Sequence, residues 1–243
     1  MRTSVISDIH GNLEAFTAVL EDMHSRQADR IVSLGDNIGY GADSEKVIQL
    51  LISQDIPTVL GNHEMAALNE IVFNWHAGDV KKAIEMAIAS LSEDSLRYLR
   101  QSKISISDAG CLFVHGFPPD SFRLYLNQVG DADLRRTFTE MKETLCFVGH
   151  THHLRLLHYE NNQVQFQQMT NGPLTLQKHE KYIINVGSVG QPRDGGSQAK
   201  YVIWDSQTCQ LEIRAISYDT ATAARKIIAA GIPSRFAAMI EGK

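Results

Sequence analysis

The sequence predicts an α/β fold whose chemistry lies where strands run into loops. Three observations carry this. Short β-branched runs alternate with amphipathic helical stretches through the first half of the chain. Five apolar runs, at 3–7, 31–34, 58–60, 112–114 and 145–148, each end in Gly, Asp, Asn or His. After residue 152 the texture changes to paired strand-like segments around turn residues.

The elements follow in order. Leu13, Phe16, Leu20 and Met23 recur at helical spacing behind the first strand, and Val47, Ile48, Leu50 and Leu51 do so behind the second. Asp43-Ser44 starts that second helix, and Asp55-Ile56-Pro57 returns the chain to a third strand. Residues from about 65 to 101 read as a helical insertion, with Ile84, Ala87, Ile88 and Leu91 on one side and Ser92 as a cap. Phe73, Trp75 and His76 near its start are either pocket-lining groups or packing anchors. Segments 154–159 and 164–169 flank Asn161-Asn162 as a hairpin, and 201–204 and 211–216 pair around Asp205-Ser206, which predicts a second, largely antiparallel sheet. A helix over 221–230 stops at Gly231 and Pro233, and a short helix follows Ser234.

With 243 residues, 43% of them hydrophobic, and no repeat or linker, one domain over 1–243 is expected. A formal charge of −5 without basic clusters argues against broad nucleic-acid or membrane-surface binding. Met1 to Ser7 is no signal peptide, since Asp8 interrupts it, and no apolar run approaches membrane-spanning length. The cysteines, Cys111, Cys146 and Cys209, are odd in number and widely spaced, which points to a cytoplasmic protein with inert buried thiols; the oligomeric state is not legible.

The polar clusters that end the apolar runs are Asp8-Ile9-His10, Gly35-Asp36, Gly61-Asn62-His63-Glu64, His115-Gly116 and Gly149-His150-Thr151-His152. Mixed imidazole, carboxylate and amide donors suit manganese, iron, zinc, nickel or cobalt, whereas all-oxygen cages suit magnesium or calcium. Any one cluster reads equally as a turn or a hydrogen-bonded structural histidine. The ordered set is what carries the metal reading.

That series resembles the calcineurin-like metallophosphoesterase superfamily, and Asn185-Val186-Gly187-Ser188-Val189-Gly190-Gln191-Pro192-Arg193 resembles a loop of its small bacterial phosphodiesterase or diadenosine-polyphosphatase-like branch. Pattern and resemblance together imply a four-layer αββα sandwich of two mixed sheets. The resemblance implies two divalent ions, manganese foremost, with Asp8, His10 and His152 on one, Asn62, His115 and His150 on the other, and Asp36 bridging. Such ions lie roughly 3.5–4 Å apart and turn the water between them into a nucleophile. His63 stays unligated as the catalytic imidazole at the leaving oxygen, with Glu64 to orient it. His24, His76, His158 and His179 read as structural or surface groups, and His153 as a neighbour of the site.

The protein-phosphatase branch carries arginines where this chain has Tyr40 and Leu60, so a phosphodiester or a nucleotide-bearing ester fits better than a phosphomonoester. Asn37, Tyr40, Phe117 and Arg193 are the candidate substrate contacts: Tyr40 or Phe117 to stack on a base, Arg193 to grip a phosphate oxygen unless it makes a surface salt bridge. The alternatives are a diadenosine polyphosphate or other nucleotide phosphohydrolase, then a serine/threonine protein phosphatase. A noncatalytic metal-binding scaffold would have lost His63 or Asp36, and both are present.

Overall fold

Two β-sheets lie face to face because the strand residues alternate. Val5 points between the sheets with Val32, Phe113, Phe147, Ile184 and Val202, while its neighbour Ile6 points outward with Phe16, Ile48 and Tyr201. The computed structural model describes residues 1–161 and 163–242. Asn162, half of the expected hairpin turn, and Lys243 lie outside the described residues.

The strands are β1 (Arg2–Ile6), β2 (Arg30–Ser33), β3 (Ser105–Asp108), β4 (Cys111–Val114), β5 (Leu145–Val148), β6 (Leu154–Glu160), β7 (Gln163–Gln168), β8 (Gly172–Thr175), β9 (Lys181–Val186), β10 (Ala199–Asp205) and β11 (Gln210–Ile216). The helices are α1 (Leu13–Ser25), α2 (Ser44–Ser53), α3 (Asn62–Leu68), α4 (Glu70–Phe73), α5 (Gly78–Ser90), α6 (Glu93–Gln101), α7 (Asp131–Glu140), α8 (Thr220–Ala229) and α9 (Arg235–Ile240).

One sheet runs β2-β1-β10-β11-β8 and the other β3-β4-β5-β9-β6-β7. Helices α1 and α2 cover the outer face of the first through Phe16, Val19, Val47 and Ile48; α7 covers the second through Leu134 and Phe138. The result is the four-layer sandwich with two mixed sheets. Parallel pairs β1–β2 and β4–β5–β9 bring the carboxyl ends of five strands to one edge, where four of the five candidate metal motifs lie.

Two expectations are corrected. No second sheet belongs to the later half: β10 and β11 join β1 and β2, while β6, β7 and β9 extend β4 and β5. Each sheet needs strands from both halves to cover its edge, and local alternation carries no information on which partner a strand will find. The run 58–60 forms only single bridges, Ser33 to Thr58 and Val59 to Lys103, because Pro57 has no N–H to donate and Gly61 turns the chain at once into α3. The helical insertion is present as α3 to α6, broken at Asn69, whose side chain accepts from the backbone N–H groups of Ile71 and Val72 to start α4.

Helix α1, behind the strand that delivers Asp8, is pinned by its Asp22. Arg214 donates to both carboxylate oxygens at 2.9 and 2.8 Å, and the Tyr201 hydroxyl donates at 2.5 Å. Burial would raise the Asp22 pKa, but these hydrogen bonds and charges outweigh it and hold the carboxyl below its usual range. A folded pKa below the unfolded value of about 3.9 adds stability above that pH, lost as the pH falls through the folded value. Asp22→Asn should therefore cost about 1–2 kcal/mol in urea unfolding at pH 7, and the difference from wild type should shrink below about pH 4. A gap that stays constant into acid would show that the ion pair is not its source.

Candidate metal centre

The site is assembled from loops that zip together beyond the strand ends. Asp8 N–H donates to Gly35 C=O at 3.0 Å, His10 N–H to Asp36 C=O at 2.9 Å and Gly190 N–H to Asp8 C=O at 2.9 Å. The other sheet is tied in by His150, whose backbone N–H donates to Asp8 Oδ2 at 3.0 Å. Asp8, His10, Asp36, Tyr40, His150 and His152 all have φ between 50° and 66°. That left-handed conformation costs a non-glycine residue of order 1 kcal/mol, and it persists only where the surroundings enforce it.

Three buried groups converge: Asp8 with His10 and His152, His10 with Asp36 and His63, and Asp36 with His115 and His150. Asp36 Oδ2 lies 3.9 Å from His10 Nε2, 3.9 Å from His63 Nε2 and 3.3 Å from His115 Nε2. Asp8 Oδ1 lies 3.6 Å from His10 Nε2 and 3.2 Å from His152 Nε2.

Four of the imidazoles have their protons assigned by the backbone. Nδ1 of His10 faces the Ile38 carbonyl at 3.2 Å, Nδ1 of His115 that of Leu34 at 2.8 Å, Nδ1 of His152 that of Gln191 at 2.5 Å, and Nε2 of His150 that of Arg123 at 2.9 Å. A carbonyl only accepts, so each of those nitrogens carries the hydrogen and the other ring nitrogen presents a lone pair. The inward nitrogens nevertheless pair at short range: His10 Nε2 and His152 Nε2 at 3.1 Å, His115 Nε2 and His150 Nδ1 at 3.0 Å. Two lone pairs that close cannot face each other bare, so each couple calls for a positive charge, a proton in the free chain or a metal ion when one is bound. Nitrogens each ~2.1 Å from one ion and at right angles stand ~3.0 Å apart, so both pairs fit transition-metal ligation.

The electrostatics agree. Burial works against charge on His115, yet Asp36 beside it, with Asp8 and Glu64 beyond, pushes its pKa up to about 9. Burial would raise Asp8 and Asp36, but the surrounding imidazoles hold both well below the usual carboxylate range. Two buried carboxylates kept ionised favour a cation beside them. Asp8 Oδ1 and Asn62 Oδ1 are buried and without a hydrogen-bond partner, as donor atoms reserved for a bound group would be.

The structure brings His63 against Asp36, its backbone N–H donating to Asp36 Oδ1 at 2.9 Å, and burial holds its ring neutral. Glu64 is elsewhere engaged: its carboxylate accepts from the backbone N–H groups of Asp36 and Asn37, each at 2.7 Å, and of Gly61 at 2.9 Å. It clasps the two ligand loops together instead of orienting His63. Gly61 has no room for a Cβ, which would strike Asp36.

The expected substrate contacts divide. Arg193 lies near the site: its charge acts on Tyr125, Tyr40 and His152, and its Nε is buried without a partner. Asn37 is corrected to a structural role, its side chain fully buried and bonded to Ser33 Oγ at 2.6 Å and Thr58 Oγ1 at 3.0 Å. Phe117 is buried in the cluster of Leu126, Leu134 and Phe138, beyond reach of a base. Tyr40 lies at the centre, but its ring stacks on Phe236 at 4.5 Å and lies against His10 at 4.3 Å. Two rings that near cannot share a face, so neither face is free.

Of the two readings of His76, structural group or pocket neighbour, its position supports the second. Its ring lies 5.9 Å from His63, it hydrogen-bonds the Asn62 backbone, and its Nε2 is buried without a partner. Tyr125, stacked on His150 with centroids 3.7 Å apart, went unread because nothing in its local sequence marks it. His24, His153 and His179 are exposed, and His158 sits 3.7 Å from Glu180.

Comparison with known proteins agrees with this geometry. The family profile described as "Calcineurin-like phosphoesterase superfamily domain" matches residues 1–208. An uncharacterized protein of Methanocaldococcus jannaschii is 32% identical over 237 residues, 95% of this chain and 93% of its own length. The crystal structure of a metallophosphoesterase from Sphaerobacter thermophilus superposes with a TM-score of 0.86 at 29% identity, covering 100% of this chain and 99% of that one. A hypothetical protein from Pyrococcus horikoshii OT3 shares the fold, with a TM-score of 0.77 at 15% identity over 98% of this chain and 97% of that one.

Glu64→Gln tests the clasp. A glutamine keeps the shape but turns an NH₂ toward backbone donors, leaving at least one buried N–H unsatisfied at a cost of about 1–3 kcal/mol. The thermal midpoint and the bound-metal content should both fall; a variant unchanged in both would show that the loops hold without it.

Proposed function

Because the chain belongs to the calcineurin-like phosphoesterase superfamily and is a phosphoester hydrolase, we propose that it is a dinuclear metal-dependent phosphodiesterase. The observation that carries this is the pair of inward imidazole couples, 3.1 and 3.0 Å across, set on either side of Asp36. Asp8, His10 and His152 would hold one ion, Asn62, His115 and His150 the other, and Asp36 both. When bound, the ions supply an acidified water as nucleophile and neutralise charge on the phosphoryl oxygens. Imidazole-rich donors favour manganese, cobalt or nickel over magnesium. Three free cysteines, two of them buried, support a cytoplasmic setting, and one domain over 1–243 completes the reading. No helix among the described residues is long and apolar enough to cross a membrane.

The chain's own residues do the rest. His63, held neutral by burial, donates an imidazole N–H to the leaving oxygen as charge builds there. Arg193 offers a guanidinium whose Nε has no protein partner, suited to a nonbridging phosphoryl oxygen. The positions held by arginine in the protein-phosphatase branch are Tyr40 and Leu60, both buried and neutral. One nearby guanidinium with a neutral wall matches a diester monoanion better than a monoester dianion.

Chelator-stripped protein should be inactive and should recover with manganese, cobalt or nickel ahead of magnesium. With manganese restored, kcat/KM for an aryl phosphodiester should exceed that for the matching monoester. Turnover with metal content confirmed as nil sinks the metal reading, and a preference for phosphopeptides over diesters and dinucleotides sinks the diester reading.

His63→Gln should keep both ions yet lose about 10²–10⁴-fold in kcat on alkyl or nucleoside esters. The loss should be smaller on nitrophenyl esters, whose leaving group needs little help. Equal losses on both would move His63 to the nonbridging oxygens.

A further inference from the structure

We propose that Trp75 and Arg123 form a shelf for a nucleobase beside the metal centre, so that the favoured esters carry a nucleoside; this rests on the phosphodiesterase reading above. Trp75 is a large aromatic left 49% exposed, although its backbone is fixed, with its N–H donating to the Val72 carbonyl at 3.1 Å. The Arg123 guanidinium lies over its ring, 4.5 Å from the centroid, and the Phe122 ring runs parallel to it, 4° off and 6.4 Å away. The loop that carries these partners is pinned by Ser121 Oγ, which accepts from the N–H groups of Arg123 at 3.2 Å and Leu124 at 2.9 Å.

Both sides of this shelf connect directly to the site. His76, the next residue after Trp75, bonds the Asn62 backbone and places its ring 5.9 Å from His63. The carbonyl of Arg123 itself accepts from Nε2 of His150 at 2.9 Å. Trp75 thus adjoins a residue whose ring lies 5.9 Å from His63, and Arg123 bonds the candidate ligand His150 directly.

An indole half in water with a cation on it is an incomplete sandwich. A planar heteroaromatic ring completes it, gaining burial and stacking that tolerate any base. The Arg123 guanidinium stays on the indole, so the phosphate such a ring would bear is left to the metal centre and Arg193. A nucleotide, a heteroaromatic ring joined through a sugar to a phosphate, carries both groups with a spacer between them. The sequence offered Tyr40 and Phe117 for this role, but their faces are covered.

The test compares two diesters with one leaving group, thymidine 5′-(p-nitrophenyl phosphate) and methyl p-nitrophenyl phosphate, on manganese-loaded protein. Trp75→Ala should lower kcat/KM about tenfold for the thymidine ester, chiefly through KM, and leave the methyl ester unchanged; Trp75→Phe should retain most of the activity. Adenosine 5′-monophosphate should quench tryptophan emission in wild type but not in Trp75→Phe, and ribose 5-phosphate should quench neither. Equal losses on the two esters, no loss on either, or a nucleotide response that Trp75→Phe preserves would overturn the shelf. If neither diester is turned over yet the nucleotide quenches Trp75, the phosphodiesterase reading falls and the shelf stands.

Discussion

Two buried carboxylates among four imidazoles with inward lone pairs form a centre that only added positive charge can satisfy. Asp8 and Asp36 are almost without access to water, and each lies within 4 Å of two or more ring nitrogens. Burying such charge uncompensated costs far more than any packing gain nearby can return. In the metal-free chain a proton retained on His115 at about pKa 9 relieves part of that demand, and divalent cations would relieve it more fully.

The fold is arranged to hold the groups there against their own preferences. Six residues of the centre sit in left-handed backbone, a conformation that relaxes in an isolated loop. What enforces it is the continuation of the sheet ladders past the strand ends, together with the Glu64 carboxylate gathering three backbone donors from two loops. Backbone carbonyls of Leu34, Ile38, Arg123 and Gln191 then fix which nitrogen of each histidine faces inward. The ligand set is therefore a property of the loops' hydrogen bonding as much as of the side chains themselves.

The candidate ligands and the proposed base shelf come from different elements. Strand ends carry Asp8, His10, Asp36, His115, His150 and His152 and the start of α3 carries Asn62 and His63, while the α4–α5 connection and the loop after β4 carry Trp75, His76, Phe122 and Arg123.

The residues that converge as Asp8, His10, Asp36, His63, His115, His150 and His152 were legible in the sequence because they lie in polar clusters after apolar runs, and their order resembles a known family. Helices α1 and α2 were legible too, since their buried stripes recur at helical spacing. The strand partners were not, because alternation says which face of a strand is buried but not beside which strand it lies; hence the unforeseen pairing of β1 with β10. Nor was the side-chain environment of Asn37, Phe117, Tyr40 and Glu64, whose roles depend on groups far along the chain or across the sheets. Residue types and order determined the chemistry this protein is able to hold; only the tertiary structure decided which imidazole nitrogens meet, which aromatic faces stay open and which carboxylate is a clasp, because those depend on distances between segments that sequence spacing does not encode.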